Sequence, residues 1–163
     1  MTIVLVGPPG AGKTTVGRLL ATRLNQPFRD TDADIELAAG KSISEIFFDD
    51  GEDHFRALER AAVKRALNEH GGVLSLGGGA VLAPESRELL KGHHVVFLNV
   101  GLGDAAKRVG LNRDRPVLAL NPRATLRTLM DERLPLYLEV ATVRVDTDGK
   151  TPEQVTDEAS LRL

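Results

Sequence analysis

Residues 7–15 read Gly7-Pro8-Pro9-Gly10-Ala11-Gly12-Lys13-Thr14-Thr15 and fit the phosphate-loop pattern G-x-x-x-x-G-K-[ST], with Gly7, Gly12, Lys13 and Thr14 in the fixed places. The spacing has a physical reason. Backbone N–H groups must converge on phosphate oxygens, which takes a tight, side-chain-poor loop running into a helix N-terminus. Lys13 adds a mobile positive charge for the terminal phosphates, and the Thr14 hydroxyl is a ligand for the Mg²⁺ that accompanies a nucleoside triphosphate. An ordinary glycine-rich turn would satisfy the string as well. The flanks argue against that, because Thr2-Ile3-Val4-Leu5-Val6 reads as a buried strand and Val16-Gly17-Arg18-Leu19-Leu20 opens a helical period.

A second group of chemistry-bearing residues follows. Asp30-Thr31-Asp32 reads as the end of a short strand, where alternation sends Asp30 and Asp32 to the same side. Alone, such a pair is most simply a solvated acidic turn. Placed after the loop helix, it falls outside the carboxyl end of a strand, where ligands gather in open α/β sheets. Arg56 and Glu59 stand at i,i+3 on a long helical stretch and read equally as a surface pair. Gly77-Gly78-Gly79-Ala80 comes straight after a strand-like Val73-Leu74-Ser75-Leu76; it is either a flexible turn or a place where backbone approaches something closely, and its position after a buried strand favours the site. Asn112-Arg113-Asp114-Arg115-Pro116 is basic and irregular, either a solvated loop or a lid whose arginines meet phosphate on closure. The four histidines show no i,i+4 pair with a carboxylate, so no zinc site is expected.

These groups need elements to hold them. Val16, Leu19, Leu20 and Leu24 define a helix closed by Asn25 and Pro27. A helix over 33–39 ends at Gly40, and Ser42-Ile43-Ser44-Glu45 is a capping box for the next. The stretch 52–69 is the longest helix, with Phe55, Leu58, Ala62, Val63, Ala66 and Leu67 apolar. No strand is expected between 33 and 69, so these helices form an insertion. Further strands are predicted at 94–100 and 142–146, with a short helix at 84–90, a weak one at 104–111, one at 124–138 broken by Pro135, and a C-terminal helix capped by Thr151-Pro152-Glu153-Gln154. Alternating strands and helices argue a right-handed parallel α/β sheet of about five strands.

Composition bounds the rest. A chain of 163 residues with 42% hydrophobic content is sized for one domain with its own core. Without cysteine, disulfides and thiolate metal sites are excluded. A formal charge of −2 gives no electrostatic footprint for nucleic acid. Apolar runs are strand-sized and no charged leader precedes Thr2, so no membrane segment is expected and the expected address is the cytoplasm.

A triphosphate cradle, an Asp pair, a helical insertion, a glycine triplet and an arginine-bearing segment suit phosphoryl transfer, which rests on positioning and charge stabilisation. A GTP-driven switch is the different-class reading, and it lacks an Asn-Lys-x-Asp guanine-reading string. A non-catalytic nucleotide-binding module would leave the arginines unexplained.

Gly10-Ala11-Gly12-Lys13-Thr14-Thr15, Asp30-Thr31-Asp32, Phe55-Arg56 with Glu59, Leu76-Gly77-Gly78-Gly79-Ala80, Arg115-Pro116-Val117-Leu118 and Arg133-Leu134-Pro135-Leu136-Tyr137 together resemble shikimate kinase, in order along nearly the whole chain. The resemblance implies a nucleoside-monophosphate-kinase-like, three-layer α-β-α fold with a five-stranded parallel sheet in the order 2-3-1-4-5, and a single domain over 1–163. The substrate-binding insertion would lie at about 33–61 and the lid at about 110–123. It implies a cytoplasmic monomer that moves the γ-phosphoryl of ATP to the 3-hydroxyl of shikimate with Mg²⁺, in chorismate and aromatic amino-acid biosynthesis. Lys13, Asp32 and Arg115 would be catalytic, Asp32 accepting the proton and Arg115 reaching the transferring phosphate. ATP would lie on Gly10, Ala11, Gly12, Lys13, Thr14, Thr15, Arg108, Arg115 and Lys150. Shikimate would meet Asp32, Glu59, Gly77, Gly78 and Gly79, with Arg56 and Arg133 on its carboxylate and Ile43, Phe47 and Phe55 along its ring. Thr14 and Asp30 would hold the metal. Where many relatives place an arginine over the adenine, this chain has Asp148-Gly149-Lys150-Thr151-Pro152, and Lys150 lacks the planar stacking surface. Gluconate kinase and nucleoside-monophosphate kinase are the alternatives on the same fold.

Overall fold

The computed structural model describes residues 2–109 and 122–163. Its five strands are β1 (Ile3–Val6), β2 (Phe28–Asp30), β3 (Val73–Ser75), β4 (His94–Asn99) and β5 (Val143–Asp146). They form one sheet in the order β2-β3-β1-β4-β5, and every pairing is parallel. This is the order that the resemblance to shikimate kinase implies. Among the described residues eight α-helices join or follow the strands: α1 (Lys13–Leu24), α2 (Thr31–Ala39), α3 (Ile43–Asp50), α4 (Glu52–Glu69), α5 (Pro84–Leu89), α6 (Leu102–Val109), α7 (Pro122–Val140) and α8 (Pro152–Leu161).

Strand alternation sorts the core into layers. Leu5, Val96 and Leu98 face Val16 and Leu20 of α1 and Ala159 of α8. Val4, Val6 and Phe97 face the other way, onto Val63 and Ala66 of α4 and Tyr137 of α7. The sheet is therefore buried on both faces, as the near-continuous apolar runs of a parallel sheet require. A third, smaller core of Ile35, Ile46, Phe55 and Ala62 holds α2, α3 and α4 together as the insertion. Registers Leu5↔Ser75 and Asp30↔Ser75 bring the carboxyl ends of β1, β2 and β3 to one level. Their following segments, the phosphate loop, the Asp pair and the glycine triplet, consequently open onto the same edge.

Two expectations need correction. β2 stops at Asp30, and Asp32 belongs to the first turn of α2 rather than to a strand. Asp30 is the N-cap of that helix, and its Oδ1 accepts the Asp32 N–H at 2.9 Å. The two carboxylates reach one cleft through this cap, not through strand alternation. The second correction concerns Pro135, which lies inside α7 and does not break it. The ring removes one helical N–H bond, to the carbonyl of Asp131. Beyond it Tyr137 is fully buried and stacks on Phe97 with centroids 5.1 Å apart, and Leu136 and Val140 pack on the same layer. Burial of that face carries the helix past its proline. The lid expected around Arg115 and Arg115-Pro116-Val117-Leu118 lie outside the described residues.

Candidate active site

A cleft of about 570 Å³ runs along the carboxyl edge of the sheet, from the phosphate loop and Lys150 to Asp32, Gly77 and Gly78. Gly7 begins the loop at φ 154°, and a Cβ there would lie 2.6 Å from the carbonyl oxygen of Leu98 in the neighbouring strand. The loop turns through an Ala11 N–H bond to the Pro8 carbonyl and enters α1 at Gly12, which caps the helix in a left-handed conformation without a side-chain cap. The N-terminus of α1 thus carries no side-chain cap, as a helix end that takes up phosphate requires. Lys13 folds over the loop and donates its Nζ to the carbonyls of Gly7 at 2.7 Å and Pro8 at 3.0 Å. Next to it the Thr14 hydroxyl donates to Asp30 Oδ2 at 3.2 Å, so the two expected metal ligands already stand together. Hydroxyl and carboxylate are hard oxygen donors of the kind Mg²⁺ takes, usually with waters and substrate phosphates completing its shell.

On the outer side of the loop Arg108 donates through Nη1 to the carbonyls of Gly10 at 3.1 Å and Ala11 at 3.4 Å, and to the Thr147 hydroxyl at 3.3 Å. The Thr147 segment also holds Lys150 by a backbone bond, and Lys150 Nζ pairs with Glu158 of α8 at 2.8 Å. Asp148 anchors this segment by accepting the Gly101 N–H through both carboxylate oxygens, at 2.9 and 3.0 Å. Thr15, in the first turn of α1, lines the same end of the cleft.

The other end is built around the glycine triplet. None of the three glycines has a positive φ, so the requirement is room. A Cβ on Gly77 would lie 2.6 Å from Asp32 Oδ1, one on Gly78 3.0 Å from the Pro9 ring, and one on Gly79 2.3 Å from Arg56 Nη1. Arg56 is paired with Glu59 at 2.9 Å and lies over the Phe55 ring at 5.3 Å. The pair is no surface pair, because Glu59 is only 4% exposed. Burial raises the pKa of Glu59, against the opposing pull of the Arg56 and Arg133 charges. Arg133 is itself 5% exposed, a guanidinium held inside the protein. Phe47 packs on Phe55 with centroids 4.9 Å apart, and Ile43 and Phe47 flank the insertion core, in which Phe55 is buried.

The structure thus brings together the phosphate-loop residues, Asp30, Asp32, Arg108 and Lys150 in one cleft, and gathers Arg56, Glu59, Gly79 and Arg133 into a second group that does not line it but adjoins Gly78. Sequence reasoning missed three supporting residues, Thr147, Glu158 and Tyr137. Thr147 and Glu158 gave no readable signal. For Tyr137 there was one: the only tyrosine of the chain stands one helical turn beyond Arg133, and a buried phenol needs a partner. Its hydroxyl donates to the Gly78 carbonyl at 2.6 Å.

A parallel sheet in this order, a phosphate loop after its first strand and a cation-lined insertion define a phosphate-loop kinase of the small-molecule class. A shikimate kinase family model matches residues 9–163. A shikimate kinase of Salinispora arenicola is 61% identical over 160 residues, covering 98% of this chain and 96% of that protein. A solved shikimate kinase of Acinetobacter baumannii in complex with shikimate superposes with a TM-score of 0.93 at 38% identity, covering 96% of this chain and 89% of that one. The chain belongs to the shikimate kinase family, and it is an ATP-dependent kinase. A gluconokinase of Sinorhizobium meliloti shares the fold alone, with 22% identity, a TM-score of 0.61 and coverage of 99% and 90%.

Proposed function

We propose that this chain transfers the γ-phosphoryl of ATP to the 3-hydroxyl of shikimate, giving shikimate 3-phosphate and ADP, as a single-domain, monomeric, cytoplasmic enzyme of chorismate and aromatic amino-acid biosynthesis. The observation that carries the reading is the pairing of two unlike half-sites. One is the triphosphate loop; the other sets Asp32 against Gly77 and the half-buried Arg56 against Gly79, with the buried Arg133 on the far side of Glu59. A small polyol acid fits that second half. Its carboxylate is matched by guanidinium forks, and its hydroxyls by Asp32 and by the backbone of Gly77, Gly78 and Gly79. Ile43, Phe47 and Phe55 give the ring an apolar side.

In the reaction the acceptor oxygen bonds to the γ-phosphorus while the bond from the γ-phosphorus to the β–γ bridging oxygen breaks. Asp32 takes the hydroxyl proton. Lys13 leaves the loop carbonyls for the terminal phosphates, and the α1 amides receive their oxygens. Arg56 and Arg133 fix the acceptor, with Glu59 orienting Arg56. Arg108, Lys150 and Thr15 border the nucleotide, and Arg115 reaches the transferred group in this reading. Thr14 and Asp30 would hold Mg²⁺, which supplies charge neutralisation on the phosphates when bound.

A coupled ADP-release assay with shikimate, gluconate and nucleoside monophosphates side by side tests this. The expected outcome is turnover with shikimate only. Turnover with gluconate or a monophosphate instead would transfer the chain to one of the alternatives, and slow GTP hydrolysis with no acceptor would revive the switch.

A further inference from the structure

We infer that Tyr137 is a positioning residue for the acceptor, its hydroxyl tying the carboxylate-binding Arg133 to the Gly78 backbone so that the two walls of the shikimate half-site keep one geometry. The inference rests on the shikimate reading and deepens it. Arg133 comes from α7, whereas the glycine triplet follows β3, and their chain separation is large. Arg133 and Tyr137 are one turn apart on α7, on the same helix face. The phenol has one proton, and it goes to the Gly78 carbonyl at 2.6 Å. Its oxygen keeps its lone pairs for the Arg133 guanidinium, whose charge bears on the phenol. In this arrangement one hydroxyl joins both walls, and the residue that carries it is 1% exposed.

Two further observations separate this role from plain packing. The ring is already held by its stack on Phe97 and by the α4 side of the core, so the hydroxyl is not needed to place it. Burial pushes the Tyr137 pKa up to about 12, so the phenol keeps the proton of its bond to Gly78 through the range in which enzymes work. The site gains a fixed spacer that does not titrate. Freed of it, Arg133 would keep its charge and lose its direction, and the half-buried Gly78 carbonyl would lose its donor.

The test is Tyr137→Phe, assayed with both substrates and melted, beside wild type, Arg133→Ala and the double variant. A hydrogen bond involving a charged group is worth enough for roughly a tenfold rise in the shikimate KM. The KM for ATP and the melting temperature should stay close to wild type. In the double variant the two losses should not add, because Tyr137 acts partly through Arg133. An unchanged shikimate KM in Tyr137→Phe, fully additive losses in the double variant, or equal rises in both KM values would each overturn the inference while wild-type turnover of shikimate leaves the functional reading standing. A wild type inactive on shikimate would overturn both.

Discussion

A carboxylate enclosed by arginines has two opposed influences on its titration, and Glu59 shows which one wins. Removal from water disfavours the charged form, the Arg56 and Arg133 guanidiniums favour it, and the net pKa lies above the ordinary 4.5. The folded protein therefore holds the Glu59 proton at pH values where the unfolded chain has already released it. By linkage this group's contribution to stability is greatest below 4.5 and falls as pH rises through the raised folded-state value, then levels off. Glu59→Gln cannot titrate and should lack that slope. Denaturant midpoints of both proteins from pH 4.5 to neutrality should show the wild-type advantage shrinking as pH rises. A gap that widened would mean the arginines outweigh burial. Because ionised Glu59 costs the fold something, its value lies in the 2.9 Å contact that aims Arg56, and Glu59→Gln should weaken shikimate binding more than it lowers the melting temperature.

Elements explain why glycines that look alike in the sequence have different work. At Gly79 a Cβ meets the guanidinium tip of Arg56 at 2.3 Å, and a long side chain can swing away. At Gly72, just before β3, it meets the Pro27 carbonyl at 2.3 Å, backbone that leads directly into β2. Gly79→Ala should raise the shikimate KM several-fold with the melting temperature little changed. Gly72→Ala should cost about 1–3 kcal/mol of stability, read from denaturant midpoints, and leave the KM of the folded fraction alone. The reverse pattern would show that the triplet is a structural turn. The same distinction describes what could be read from the chain. The parallel sheet of about five strands, the helix insertion and both capping boxes were legible because they are local patterns of apolar period and turn chemistry, whereas the strand order came only with the resemblance to shikimate kinase. The phosphate loop and the Asp pair were legible as residues, but the Asp pair was given the wrong element, since a strand end and an N-cap use the same residue types. Pro135 and Tyr137 were misread or missed because packing against β4 decides both, and no local signal carries it. The burial of Arg133 and Glu59 was likewise invisible to a periodicity that shows only charged residues on a helix.

At the scale of the whole molecule, one sheet edge carries both half-sites, so ligand binding and global stability are linked. The phosphate loop is anchored on β1, Asp30 on β2, the glycine triplet on β3 and the Thr147 segment on β5, and none of these converges in an unfolded chain. A nucleotide that binds only the folded form at about a hundredfold excess over its Kd adds roughly 2.7 kcal/mol. For a domain of this size each kcal/mol is worth about 2–4 °C, so Mg²⁺ with ATP should raise the melting temperature by roughly 5–11 °C. If Thr14 and Asp30 hold the cation as proposed, ATP with a chelator should give a smaller shift. Thr14→Ala should bring the two shifts close together while leaving the unliganded melting temperature near wild type, since the exposed 3.2 Å bond it removes contributes little to the fold. A full Mg²⁺-dependent shift retained in Thr14→Ala would place the cation elsewhere. An absent shift with ATP in any form would remove the nucleotide from the cleft at the edge of the sheet, whatever the loop sequence says.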